Sequence, residues 1–276
     1  MKQTTVIIAG LNVHTYATES FASSIKPILA LFVLHGRLGS TESPYIQDLI
    51  AALVGGAADN ERERDLLVVA FDHRNHGTRL RAQVANLDFK DNPNHVHDMY
   101  SVQTGTAKDV SFVMDFLPAY LFTSGERSIV EWGVAGVSLG GHSTWIAAAE
   151  DPRVKIAIPI IGCPDYLGLM GLRAEAQGIA IAPPHFPESL LRVIRASTPT
   201  GLPYTSKEDG NPFLGKKVLI LSGANDPLVP WSASEKFVKG LEVGSGSKEV
   251  IVQPGAGHEV TPEMVMAAVA FILRML

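Results

Sequence analysis

Three residues of this chain could together run nucleophilic acyl transfer: Ser138 in "GVAGVSLGGHSTW", Asp226 in "LSGANDPLVP" and His258 in "GAGHEV". A serine hydroxyl is a weak nucleophile at neutral pH, so a histidine must take its proton during attack and return it to the leaving group. A carboxylate then fixes the imidazole tautomer and stabilises the imidazolium. Around Ser138 the small residues Gly136 and Gly140 relieve crowding where a serine sits in a strained strand-to-helix turn. The helix beginning at Leu139 aims free N–H groups and its positive dipole end at a developing oxyanion. Taken alone, the stretch equally fits a turn serine, Asp226 a helix cap ahead of Pro227, and His258 a loop histidine bonded to backbone.

The elements that must place these residues alternate along the chain. "TVIIAGLNVHTYA" reads as a hairpin around Gly10 at a sheet edge. "PILALFVLHG", "DLLVVAF", "SIVEWGVAGV", "VKIAIPIIG" and "KKVLILSG" are near-continuous aliphatic runs, the mark of strands buried on both faces, and "KEVIVQ" is a last strand. Helices are expected over "SPYIQDLIAALVGG", "SVQTGTAKDVSFVMDFLPAYL", "LGGHSTWIAAAED", "WSASEKFVKGL" and "TPEMVMAAVAFILRML". The pattern predicts an α/β fold with a mostly parallel central sheet of about eight strands and helices on both faces. Functional groups in such sheets sit beyond the carboxyl ends of the strands, where Ser138, Asp226 and His258 all fall.

Two segments break the rhythm. Residues 73–100 form a long polar stretch with His73, His76, His95 and His97. These histidines lack the cysteine and acidic partners of a metal site, so no metal is expected and a satisfied polar loop or substrate-entry wall is. Residues 162–215 carry two short helical pieces around "APPHFP" and are expected to form a small lid. Its apolar residues, Leu169, Met170, Leu172, Phe186, Leu190 and Leu191, are its packing face, and Leu169, Met170 and Phe186 together with Gly36 are candidates for the wall of an apolar pocket. His142 and Cys163 read as structural. No repeat or linker divides the chain, and one domain over 1–276 is expected.

Composition bounds the function. The chain has 276 residues, 46% of them hydrophobic, and a net charge of −5, which gives no support for a nucleic-acid partner. The mixed run "DNERERD" at 59–65 reads as a solvated turn. One cysteine permits no internal disulfide, the N-terminus is too polar for a signal-peptide core, and no apolar run approaches the roughly 18 residues of a membrane span. The expectation is a cytoplasmic protein without a membrane partner.

Five motifs in order make the sequence resemble the α/β-hydrolase family over nearly its whole length. "GVSLGG" matches the nucleophile elbow, "LHGRLGS" the oxyanion-hole loop, "FDHRNHGTR" the D-x-R-G-H-G segment, "LSGANDPLVP" the acid loop and "GAGHEV" the histidine loop. The resemblance implies Ser138 as nucleophile, His258 as general base and acid, Asp226 as its carboxylate partner, and the backbone N–H groups of Arg37 and Leu139 as the oxyanion hole. It implies no cofactor and a small acyl substrate, most simply a carboxylic ester. Thioester, lactone or amide hydrolysis, acyl transfer and a receptor role share the same triad. Prolyl-oligopeptidase relatives carry a propeller that the N-terminal segment is too short to hold. Asn75 departs from the family pattern, standing where a glycine is usual. The Arg37 guanidinium has three readings: contact with a substrate carboxylate, an ion pair to the 73–100 loop, or solvent.

Overall fold

A computed structural model describes residues 1–58 and 61–276. Eight strands form one sheet: β1 (Lys2–Ile8), β2 (Leu11–Ala17), β3 (Ile28–Leu34), β4 (Asp65–Ala70), β5 (Ile129–Val137), β6 (Val154–Ile160), β7 (Lys217–Gly223) and β8 (Ser247–Gln253), in the order β1-β2-β4-β3-β5-β6-β7-β8. The β1–β2 hairpin pairs antiparallel, both internally and with β4. Every other pairing is parallel. The aliphatic runs are buried on both faces as their composition requires. In β3, Ile28, Ala30, Phe32 and Leu34 point to one face and Leu29, Leu31 and Val33 to the other.

Among the described residues there are seven α-helices: α1 (Pro44–Gly56), α2 (His95–Leu121), α3 (Leu139–Glu150), α4 (Tyr166–Ala176), α5 (Glu188–Ser197), α6 (Trp231–Gly240) and α7 (Pro262–Leu273). α2, α3 and α6 pack on one face through Val110, Val113, Trp145 and Phe237. α1 and α7 pack on the other through Ile46, Leu49, Ile50 and Phe271. Because α1 follows β3 and α3 follows β5, two adjacent parallel strands send their chains to opposite faces. A crevice opens at their carboxyl ends.

Helix α2 starts at His95, six residues before the helix expected from sequence, so the polar stretch after β4 is shorter than its composition implies. Val96, Met99 and Tyr100 in these first turns are buried against α4 and α5, and tertiary packing outweighs the weak helix propensity of the histidines. Of the run at 59–65, Asp59 and Asn60 lie outside the described residues. The rest is not simply a solvated turn, because the amides of Glu63 and Arg64 donate to the Leu276 carbonyl at 2.9 and 3.0 Å and Arg64 pairs with Glu131 at 2.6 Å. Among the described residues no helix is long and apolar enough to cross a membrane.

Trp145, fully buried, meets the rings of Phe213 and Phe237 edge-on at centroid distances of 6.1 and 5.2 Å. Trp145→Ala is expected to lower the unfolding free energy by roughly 3–5 kcal/mol, read as a shift in the urea midpoint.

Candidate active site

Ser138 joins β5 to α3 with φ 52° and ψ −108°, a left-handed conformation that a side chain adopts only under constraint. The crowding around it admits only glycines. A Cβ on Gly136 would strike the Gly140 carbonyl, and one on Gly140 the carbonyls of Leu34 and His35. This geometry projects the Ser138 hydroxyl out of the crevice floor, where it lies 2.9 Å from His258 Nε2. His258 Nδ1 lies 2.7 Å from Asp226 Oδ2. Since a carboxylate only accepts, Nδ1–H donates to Asp226 and Nε2 is left to accept from Ser138. Asp226 is buried, and burial alone would raise its carboxyl; the His258 hydrogen bond and the amides of Val229 and Leu228 outweigh this and hold it below the ordinary value. The three residues thus form a chain that can carry a proton from hydroxyl to imidazole.

The loop after β3 lies beside the serine. Gly36 N–H donates to the Tyr45 hydroxyl at 2.8 Å. The amides of Arg37 and Leu139, by contrast, donate to no acceptor among the described residues, so both are free for an oxyanion. The loop is held by a buried polar network. His73 N–H donates to His35 Nε2 at 3.0 Å, which leaves His35 Nδ1–H to donate to the Gly36 carbonyl at 2.7 Å. His73 in turn bridges Thr106 and the His35 carbonyl at 2.7 and 2.8 Å. Asp72 accepts from the amides of Thr41 and Thr78 and from the Thr78 hydroxyl. His73, His76 and His95, flagged by their spacing, are therefore tied to backbone and hydroxyl partners, His76 to Arg74 O and His95 to Leu87 O.

Asn75 adopts φ 57°, which asparagine tolerates better than most side chains. Its carboxamide accepts from the amides of Arg81 and Ala82 and donates to the Ala82 carbonyl and to Asn86. The substitution for glycine thus keeps the backbone turn and adds a clamp on residues 75–86.

A cavity of about 370 Å³ lies over Ser138. Gly36, Arg37, Leu139 and His258 are on its wall. Leu169, Met170 and Phe186 are not. All three are buried, at 1% exposure or less, in a cluster with Phe89, Met99 and Tyr166. Packing α4 and the segment ahead of α5 against the first turns of α2 and α3 consumes these apolar side chains, and the longer Arg173 and the exposed Gln177 reach the cavity instead. Tyr45, Met99 and Leu228 are also on the wall and were missed by sequence reasoning, as was Arg173, for which an arginine inside the apolar pattern of α4 was the available signal; His95, from the stretch read as a polar loop or substrate-entry wall, is there too. His142 also faces the cavity, with Nδ1 accepting from Cys163 N–H at 2.8 Å, and burial holds it neutral with a value of about 3. Burial pushes the Cys163 thiol up to about 11, so it remains protonated.

No family model matches the sequence, and no curated protein does. Solved structures do resemble it. TT1662 from Thermus thermophilus is 27% identical, with 99% of this chain and 98% of that one aligned at a TM-score of 0.67. Est1E from Butyrivibrio proteoclasticus, solved with ferulic acid bound, is 18% identical over 99% and 97% of the two chains, with a TM-score of 0.60. Acetyl xylan esterase 1 from Thermoanaerobacterium sp. is 18% identical over 97% and 80%, also at 0.60.

The neutral histidines set an acid limit on this site. Burial lowers His35 and His95 from 6.5 to about 4 each. Below pH 6.5 the unfolded chain binds more protons than the folded one, so stability falls with pH until about pH 4, where the slope flattens. Each of these histidines is expected to remove roughly 2 kcal/mol of unfolding free energy between pH 7 and pH 5. Urea melts across that range check this, and replacing His95 with glutamine should flatten the dependence.

Proposed function

The chain has the α/β-hydrolase fold, and on that premise we propose that it is a serine hydrolase cleaving a small carboxylic ester through an acyl-enzyme. The observation that carries the reading is the unbroken series Ser138, His258 and Asp226, at 2.9 and 2.7 Å, on the wall of a cavity large enough for a small acyl group. The esterases of the same fold support ester chemistry in general.

The steps follow from the geometry. Ser138 Oγ attacks the carbonyl carbon as its proton passes to His258 Nε2. The carbonyl π bond opens, and the resulting oxyanion takes hydrogen bonds from the free amides of Arg37 and Leu139, aided by the positive end of α3. Asp226 stabilises the imidazolium. Collapse breaks the ester C–O bond, and the leaving alkoxide takes the proton from His258. A water molecule then repeats the sequence, losing its proton to His258 and adding to the acyl carbon, and Ser138 leaves with that proton. The residues do this without a cofactor. The cavity volume favours short acyl chains, and 162–215, which contributes Arg173 of α4 and Gln177 just after it to the wall, is in this reading the segment that selects among them.

Ser138→Ala and His258→Ala are expected to lower kcat on short-chain aryl esters by roughly a thousandfold or more, with circular dichroism unchanged. A fluorophosphonate should label the wild type and not the Ser138→Ala variant. Equal turnover in wild type and Ser138→Ala would end the assignment.

A further inference from the structure

Most arginines of this chain hold a carboxylate. Arg74 and Arg79 share Asp109 at 2.7 and 2.8 Å, and Arg153 takes Asp151 at 2.7 Å. Arg37 and Arg173, both half-buried on the cavity wall, form no ion pair with any described carboxylate. Each is anchored by one carbonyl instead. Arg37 Nη1 donates to Asn86 at 3.0 Å, and Arg173 Nη2 to Leu228 at 2.9 Å. Asn86 is itself fixed by donating its carboxamide N–H to the Asn75 carbonyl, and Leu228 by donating its backbone N–H to Asp226 Oδ1. Two rigid supports therefore hold two guanidinium groups beside the reactive serine, each with N–H donors to spare.

These charges are not neutralised inside the cavity. Burial pushes both guanidinium groups below their ordinary value, and Arg173 is lowered further by the charge of Arg37. Asp226 is committed to His258. The two other carboxylates on the wall, Asp88 and Glu259, are exposed at its rim. Asp88 acts on Arg37 through its charge without contact and accepts from the Lys90 amide, while Glu259 accepts from the Gly257 amide at 3.4 Å. The cavity is thus acidic at its mouth and basic within. Like charges brought together on a half-buried wall favour an anion between them.

We propose that Arg37 and Arg173 bind a carboxylate carried by the substrate, so that the ester cleaved at Ser138 is an acidic one. This rests on the reading of Ser138 as nucleophile. A carboxylate accepts through two oxygens and can take one N–H from each guanidinium, and the planar donor fork makes arginine better suited to this than lysine. The same contact fixes the position of the scissile carbonyl relative to Ser138, which raises kcat as well as lowering KM.

The test compares matched esters with the carboxylate on either arm: 4-nitrophenyl hemiadipate against 4-nitrophenyl heptanoate, and 4-acetoxybenzoate against its methyl ester. In at least one pair the charged member should have the higher kcat/KM, by about ten- to a hundredfold, as for a hydrogen bond to a charged group. Arg173→Gln should abolish that ratio and Arg173→Lys should restore part of it, while Arg192→Gln, on the exposed face of α5, should leave it unchanged. A preference for the neutral ester in both pairs, or a ratio untouched by Arg173→Gln, overturns the proposal. If the wild type hydrolyses none of the four, the hydrolase reading fails and calorimetric titration of Ser138→Ala with adipate decides the anion site. Binding lost in the Ser138→Ala, Arg173→Gln double variant supports the site, and no binding to Ser138→Ala overturns it.

Discussion

Strands β3 and β5 lie side by side and parallel, yet the chain leaves β3 toward α1 on one face and leaves β5 toward α3 on the other. Two backbones diverging from neighbouring strand ends cannot fill the space between them. Into that gap the sequence delivers, from one side, the amide of Arg37, and from the other, Ser138 and the amide of Leu139. The two halves must approach closely, and the contact between Gly140 N–H and the His35 carbonyl at 3.0 Å is where they touch. Any side chain on Gly140 would push them apart, so the small residues of the elbow are a condition for bringing the β3 loop to the serine at all.

A loop that close to Ser138 has to be rigid without help from sheet pairing. Here the rigidity comes from polar groups with little freedom left. His35 and His73 satisfy one another and the adjacent backbone, each tautomer fixed by the bond its other nitrogen makes, and Asp72 holds Thr41 and Thr78 beside them. In a low-dielectric interior such a network holds its members in one arrangement, because any alternative leaves a donor or acceptor unpaired. Asn75 extends the same logic outward, through Asn86 to the Arg37 side chain.

The fold and the meeting of Ser138, Asp226 and His258 at the strand ends were legible because both are written in local chemistry. Aliphatic runs of seven or so residues specify buried strands, and the glycines around Ser138 specify its turn. The cavity wall was harder to read. Leu169, Met170 and Phe186 have the composition of a pocket lining, but composition does not say which side chains of this segment the start of α2 will claim. Arg173 belongs to the wall because its side chain is long enough to pass that packed layer, and Leu228 because it follows the acid on a loop whose path depends on tertiary contacts. The early start of α2 escaped for a similar reason: His95 and His97 favour no helix locally, and burial of Val96 and Tyr100 supplies what propensity does not.

The backbone at Ser138 carries a consequence for the whole molecule. A non-glycine residue at positive φ is held there at an expense of about 1–3 kcal/mol, drawn from the packing of β5 and α3. Glycine would relieve it and leave the fold firmer, but without a hydroxyl. The chain therefore keeps a local instability at a closely packed turn, and the hydroxyl of Ser138 is held against the chain's own folding free energy.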